Sequence, residues 1–197
     1  MSLTLTYFNF DGSRGLECRL ALTVAGVPFV DERLTRDQWG ERKPTAPFGG
    51  LPVLRDGDRA LAQSNAILGW VGRTHGLYPT DPWVAAEHDA VMQSVEDLRY
   101  KLPSPTSDDE KKTAREAFAA GWLTQWANYV DGRISGPFLE GAALQVADLK
   151  LYVILRSFKR AAYDHIPATF FDAWPKITAH YAAVEAHPAV AAYLASR

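Results

Sequence analysis

Residues 47–65, PFGGLPVLRDGDRALAQSN, carry the pattern in this chain that points most directly to chemistry. Two short apolar runs, 51–54 and 59–62, flank Asp56 and Gly57, which is a β-hairpin signal. Pro52 stands at the start of the first run, where a missing N–H does least harm and a cis peptide fits. Ser64 closes the second run and opens an apolar helical pattern, the place of an N-cap. A hairpin feeding a helix N-terminus leaves a free strand edge beside an anion site. Such a pair suits a small peptide that carries a carboxylate. Other reactive groups are sparse. The five histidines show no i, i+4 pair or other ligand spacing, which predicts no metal. Cys18 is the only cysteine and falls within a helical pattern without a Cys-x-x-Cys partner, so it reads as structural.

The elements that must position this stretch follow from periodicity. Residues 3–8 alternate, Leu3, Leu5 and Tyr7 against Thr4, Thr6 and Phe8, as a strand does. After a polar loop at 11–15, Leu16, Leu20 and Val24 recur at helical spacing until Gly26, a C′ residue. Residues 28–33 form a second strand, parallel to the first because a helix intervenes. Residues 35–43 are polar around Trp39. The hairpin comes next, then a helix over 65–74, and the order so far is βαβαββα. Two prolines and a glycine at 75–82 break the pattern, and 77–82 is the linker. Everything beyond reads as helix. Val84, His88, Val91, Val95, Leu98 and Leu102 form a heptad-like stripe, and Phe118, Trp122, Trp126 and Tyr129 form another. Residues 147–158 are apolar nearly all round, marking a buried central helix. Helices over 170–187 and 189–195 follow. The expectation is therefore an α/β domain at 1–76 and an all-α domain at 83–197.

Composition narrows the partners. At 197 residues, 47% of them hydrophobic, the chain can build one large core or two small ones. A formal charge of −2 argues against nucleic acid or an anionic membrane as the main partner. The charged run at 108–112 reads as a solvated helix start. No window offers about 20 uninterrupted apolar residues, and the first ten residues lack the pattern of a signal peptide. With one cysteine, a cytoplasmic setting is the expectation.

The ordered set of short motifs resembles the cytosolic glutathione transferases, and within them the tyrosine-type, sigma-like members. The matching pieces are residues 5–9, Trp39 and Lys43, Pro47 to Gly49, and 51–54. Gln63 and Ser64, Glu96 and Asp97, 146–148 and 187–190 complete the set. They run nearly end to end in the family's order. The resemblance implies a thioredoxin-like N-terminal domain, an α-helical C-terminal domain, glutathione as co-substrate and a homodimer.

What the family does then falls on particular residues. An ordinary thiol, with a pKa near about 8.5, is only a few per cent thiolate at neutral pH. The resemblance places Tyr7 as the hydroxyl that donates to the glutathione sulfur; taken alone, Tyr7 is a core or edge aromatic. Ser13 is the rival, because serine-type relatives carry their hydroxyl in the loop after the first strand. That loop, 11–15, holds one residue more than the sigma pattern. Arg14 either supports the thiolate by charge or caps the loop in solvent. For binding, Ser64 and Gln63 fall to the γ-glutamyl end, while Gly50 and the backbone of Leu51, turned outward by Pro52, fall to the cysteinyl part. Trp39 and Lys43 suit the glycyl carboxylate. Asp97 would reach the ligand's ammonium from the partner subunit, or else lie on a solvated helix face. Phe8, Phe10, Tyr100 and Tyr152 are candidates for the pocket of an apolar electrophile, and each is equally explicable as core. Gln145 stands where Ser or Thr usually caps the helix of Asp148, which weakens that capping box. The expected activity is conjugation of glutathione to small apolar electrophiles. The alternatives are a glutathione-dependent isomerase or peroxidase, or a non-catalytic glutathione-binding or structural relative.

Overall fold

The computed structural model describes residues 3–197; Met1 and Ser2, which open the segment expected to lack a signal peptide, lie outside the described residues. The chain divides into two compact units. One runs to Ala86 and takes in His187–Arg197, and the other is Glu87–Ala186.

In the first unit, β1 (Leu3–Phe8) and β2 (Phe29–Leu34) pair in parallel, from Leu3 opposite Phe29 to Phe8 opposite Leu34. The crossover between them is α1 (Ser13–Val24), and Gly26 follows it at a φ of 66°, the left-handed cap expected there. Thr35 and Gln38 form a reciprocal capping box that starts α2 (Arg36–Arg42) within the polar stretch. The hairpin consists of β3 (Val53–Asp56), antiparallel to β1, and β4 (Arg59–Ala62). Among the described residues the sheet has four strands in the order β2-β1-β3-β4. Asp56 pairs with Arg59, so the loop residues are Gly57 and Asp58, one position later than the Asp-Gly signal implied; Gly57 supplies the positive φ of 57°. The Leu51–Pro52 peptide is cis.

Helix α3 (Ser64–His75) corrects one detail of the sequence reading. Gln63 occupies the N-cap position with φ 72° and ψ 117°, and Ser64 is the first helical residue, not the cap. Its N–H is still one of the donors that a helix start leaves without an intrahelical acceptor.

The second unit is helical. Helix α4 (Pro82–Lys101) buries His88, Val91, Val95 and Leu98 of the expected stripe and also Met92, while Val84 near its start and Leu102 just past its end are half-buried. Ser107 caps α5 (Asp108–Phe118), whose first turn holds Asp108, Asp109 and Glu110, favourable charges at that end. A π-helical turn at Ala119–Leu123 joins α5 to α6 (Thr124–Arg133). The extra residue in that turn rotates the buried face to Leu123, Trp126, Ala127 and Val130. Tyr129, expected on the apolar stripe, is consequently 62% exposed. Helix α7 (Val146–Lys159) is buried nearly all round, as predicted, and it also buries Lys150, whose Nζ lies 2.6 Å from Glu96 Oε1. Instead of one helix over 170–187, a short 3-10 turn at Phe170–Ala173 precedes α8 (Pro175–Ala186). Pro175 disfavours a helical Trp174 but is suited to the first helical position, so the helix restarts there.

Asp148 departs from expectation too. Despite the Gln145 substitution, Asp148 Oδ2 accepts the Gln145 N–H at 2.8 Å, closing the backward half of the box. Its Oδ1 accepts the Leu139 N–H at 2.8 Å and lies 2.9 Å from His180 Nε2. Finally, α9 (Pro188–Ala195), assigned from sequence to the helical half, groups with the first unit. Tyr193 explains the attachment: its hydroxyl donates to Asp11 Oδ1 at 3.2 Å.

Candidate functional site

Parallel strands joined by a right-handed crossover present their carboxyl ends side by side, and ligands of such sheets gather there. Here β1 runs into Phe8, Asn9 and Phe10, and β2 runs into Leu34, Thr35 and Arg36. Together with Tyr7 and Trp39 they line a cavity of about 770 Å³. Half of the residues that wall it are aromatic. The Tyr7 ring lies 5.6 Å from the rings of both Phe8 and Phe10, and Trp39 stands edge-on to Phe8 at 6.3 Å. Tyr7 itself is 5% exposed. The arrangement sets Tyr7 against an apolar space large enough for a small organic molecule.

Gly15 makes that position of Tyr7 sterically possible. A Cβ on Gly15 would lie 2.0 Å from Tyr7 Cδ1 and 2.5 Å from Cγ, well inside contact distance. With the ring enclosed, either it or α1 must move. Gly15→Ala is therefore expected to cost about 1–3 kcal/mol of stability, as overpacking does, and to lower turnover of the folded protein. Thermal denaturation and steady-state rates check this; a variant normal in both would show that the ring yields freely.

The loop beyond Tyr7 is held by charge. The fully buried Arg19 donates from Nη1 to the Phe10 carbonyl at 2.8 Å and from Nη2 to the Phe8 carbonyl at 3.2 Å. Its Nε donates to Asp31 Oδ1 at 2.8 Å, and Asp31 Oδ2 accepts from Arg33 Nε at 2.7 Å. Arg33 then forks onto Asp11, at 3.2 Å and 2.7 Å. That hydrogen-bonded guanidinium, helped by Tyr193, holds the Asp11 carboxyl below the usual carboxylate range. Burial, with the Asp11 charge alongside, pushes the Tyr193 phenol up.

The remaining sequence candidates are distributed as follows. Ser13 begins α1 in the left-handed region, φ 52°, and is absent from the cavity lining; Arg14 follows it, partly exposed. Lys43 is exposed on the turn after α2, and its Cε lies 4.0 Å from where a Cβ on Gly49 would be. Gly50 follows, and with Leu51 and the cis Pro52 it leads into β3. The β1–β3 pairing ends at Thr6 opposite Val53, so Leu51 lies beyond the ladder. Gln63 is exposed and Ser64 is 3% exposed at the start of α3. Asp97, Tyr100 and Tyr152 belong to the second unit. Asp97 is exposed and Tyr100 is 90% exposed. Tyr152 is 0% exposed and its hydroxyl donates to Glu185 Oε1 at 3.1 Å, which fits the core reading of the two that the sequence left open. Asn9, Leu34, Thr35 and Arg36 line the cavity but were not singled out from the sequence. The end of the second strand, once read as parallel to the first, was the signal that could have found the last three.

A thioredoxin-like unit with an aromatic-lined cavity is followed by a helical unit, the architecture that the resemblance to glutathione transferases implied. Comparison with known proteins reaches the same family. The glutathione S-transferase N-terminal domain matches residues 3–73, and the glutathione S-transferase C-terminal domain matches residues 90–197. Glutathione S-transferase P of Macaca mulatta and that of Homo sapiens are each 32% identical to the chain, over 98% of it and 91% of their own length. Among solved structures, prostaglandin synthase D of Nilaparvata lugens superposes with a TM-score of 0.88 at 27% identity, covering 100% of this chain and 98% of that one. The monomeric glutathione S-transferase Na-GST-3 of Necator americanus gives 0.78 at 28% identity, covering 100% and 98%. The chain belongs to the glutathione S-transferase family, and it is a glutathione transferase, an enzyme that conjugates glutathione.

Proposed function

We propose that the chain is a tyrosine-type, sigma-like transferase in which Tyr7 donates a hydrogen bond to the glutathione sulfur and stabilises the thiolate. The thiolate attacks an electrophilic carbon, a carbon–sulfur bond forms, and the leaving group departs with its electron pair; the thiol proton passes to solvent. The observation that supports this reading most is the cavity of about 770 Å³ with Tyr7 among aromatic walls. Phe8 and Phe10 take the apolar electrophile there. Ser64 and Gln63 bind the γ-glutamyl end, and Gly50, Leu51 and Pro52 present a strand edge to the cysteinyl backbone. Trp39 and Lys43 meet the glycyl carboxylate, for which the approach of Lys43 to the turn before Gly50 is the supporting contact. Asp97 reaches the ammonium group across a homodimer. Glutathione binding falls to residues 1–76, and the setting is cytoplasmic detoxification without a metal, nucleic acid or membrane partner. Among the described residues no helix is long and apolar enough to cross a membrane.

Turnover of glutathione with an aryl halide tests the reading. Conjugate formation is expected; glutathione binding without turnover across several electrophiles would favour a non-catalytic relative. A glutathione-dependent isomerase is the second reading, favoured by the likeness to the prostaglandin synthase D of Nilaparvata lugens. Product without net consumption of glutathione distinguishes it. A separate prediction concerns binding: Ser64→Ala is expected to weaken glutathione affinity by about 1–3 kcal/mol, the loss of a hydrogen bond to a charged group. Calorimetric titration reads this directly, and unchanged affinity would reduce Ser64 to a helix start.

A further inference from the structure

We infer that Asp11 and Tyr193 are positioning residues of the conjugation site, holding from outside the cavity the 8–11 loop whose side chains wall it. Neither residue lines the cavity, whereas Phe8, Asn9 and Phe10 do. The loop is gripped at both ends. Arg19 takes the carbonyls of Phe8 and Phe10, and Arg33 with Tyr193 takes the carboxylate of Asp11 one residue later. Asp31 ties the two arginines together, so the grips form one network. Tyr193 joins it from α9, 182 residues away in sequence, donating to Asp11 and accepting from Arg33 Nη2 at 3.3 Å. Arg197 adds a cation 5.1 Å from the Tyr193 ring and 3.7 Å from Asp31. Fixed walls in a reaction site matter because small displacements of a bound reactant cost rate steeply. Removing one grip lets the Phe8–Phe10 wall move while leaving Ser64, Gln63 and Lys43, on other segments, in place. The consequence is selective: the second substrate suffers and glutathione does not.

The inference rests on the proposed seat of the electrophile in the Tyr7–Trp39 cavity, and the experiment separates the two. Steady-state kinetics with glutathione and an aryl halide are measured for Asp11→Asn, Tyr193→Phe and, as the cavity control, Phe10→Ala. All three are expected to raise the KM for the aryl halide roughly threefold or more, with the KM for glutathione within about twofold of the parent. A residue that served folding alone would reduce the active fraction, and so apparent kcat, with both KM values unchanged. That pattern in Asp11→Asn and Tyr193→Phe, alongside a raised KM in Phe10→Ala, overturns the positioning role and leaves the cavity reading standing. A silent Phe10→Ala overturns the cavity reading and the inference with it.

Discussion

Tyr7→Phe is expected to raise the pKa of the bound glutathione thiol by about one to two units, at roughly 1.4 kcal/mol per unit. The size follows from what is lost: one hydrogen bond to an ionised sulfur, a class worth about 1.5–3 kcal/mol. With the variant's thiol back near the ordinary value of about 8.5, the thiolate fraction at neutral pH, and kcat/KM with it, should fall by about eightfold to twenty-five-fold. The sign is fixed by which form the hydroxyl stabilises. A donor favours the anion, so its removal moves the acid limb of the kcat/KM profile to higher pH, and activity partly returns in alkaline buffer. Phenylalanine keeps the ring contacts with Phe8 and Phe10, and so keeps the 5% exposure of a core aromatic. Glutathione affinity and thermal stability should therefore change little. Ser13→Ala is the partner experiment. Ser13 begins α1 at a φ of 52° and does not line the cavity that Tyr7 lines, so its removal should leave the profile where it was. If the serine variant alone shifts the acid limb, the assignment of Tyr7 is wrong.

Tyr7 is legible in the sequence because two independent signals converge on it: alternation puts it on a strand, and the ordered motifs give that strand a role. The same holds for Gly26, the parallel relation of β1 and β2, and the hairpin, each of which depends on a few neighbouring residues. The features that the sequence does not reveal are non-local or depend on backbone conformation at one residue. Gln63 takes a positive φ that no propensity favours for glutamine, and this moves Ser64 from cap to first helical residue. The π-helical turn at Ala119–Leu123 has no composition signal, yet it turns Tyr129 to solvent. Tyr152 is a reasonable pocket candidate by type; Glu185, 33 residues on, makes it a satisfied core residue. Arg19, Asp31, Arg33 and Asp11 are spread over three segments, and only the parallel pairing of the strands brings them into one network. Charges in such a chain look like surface until the register is known.

Asp148 supplies the second large expected effect, on stability. Its carboxylate is 0% exposed and serves three partners at once: the Leu139 and Gln145 backbone N–H groups and His180. The 2.9 Å contact with His180 Nε2 adds a side-chain partner from another helix. Asp148→Ala strands these donors where water does not reach, and it empties a buried charge site. Each buried polar group left without its partner costs about 1–3 kcal/mol, so losing all three contacts is a large share of the roughly 5–15 kcal/mol that holds an ordinary domain together. Asp148→Asn keeps one acceptor and the shape but turns an N–H₂ toward one of the donors, so an intermediate loss is expected. Equilibrium urea unfolding measures both: the midpoint should fall in the order parent, Asn, Ala, with the slope unchanged. A loss below about 1 kcal/mol in the alanine variant would mean that Gln145 had indeed weakened the box, as the sequence alone implied. His180→Ala provides the control for the tertiary half. It leaves the two backbone bonds intact, so it should destabilise less than Asp148→Ala. Equal losses would instead place the whole effect in the histidine contact and none in the helix start.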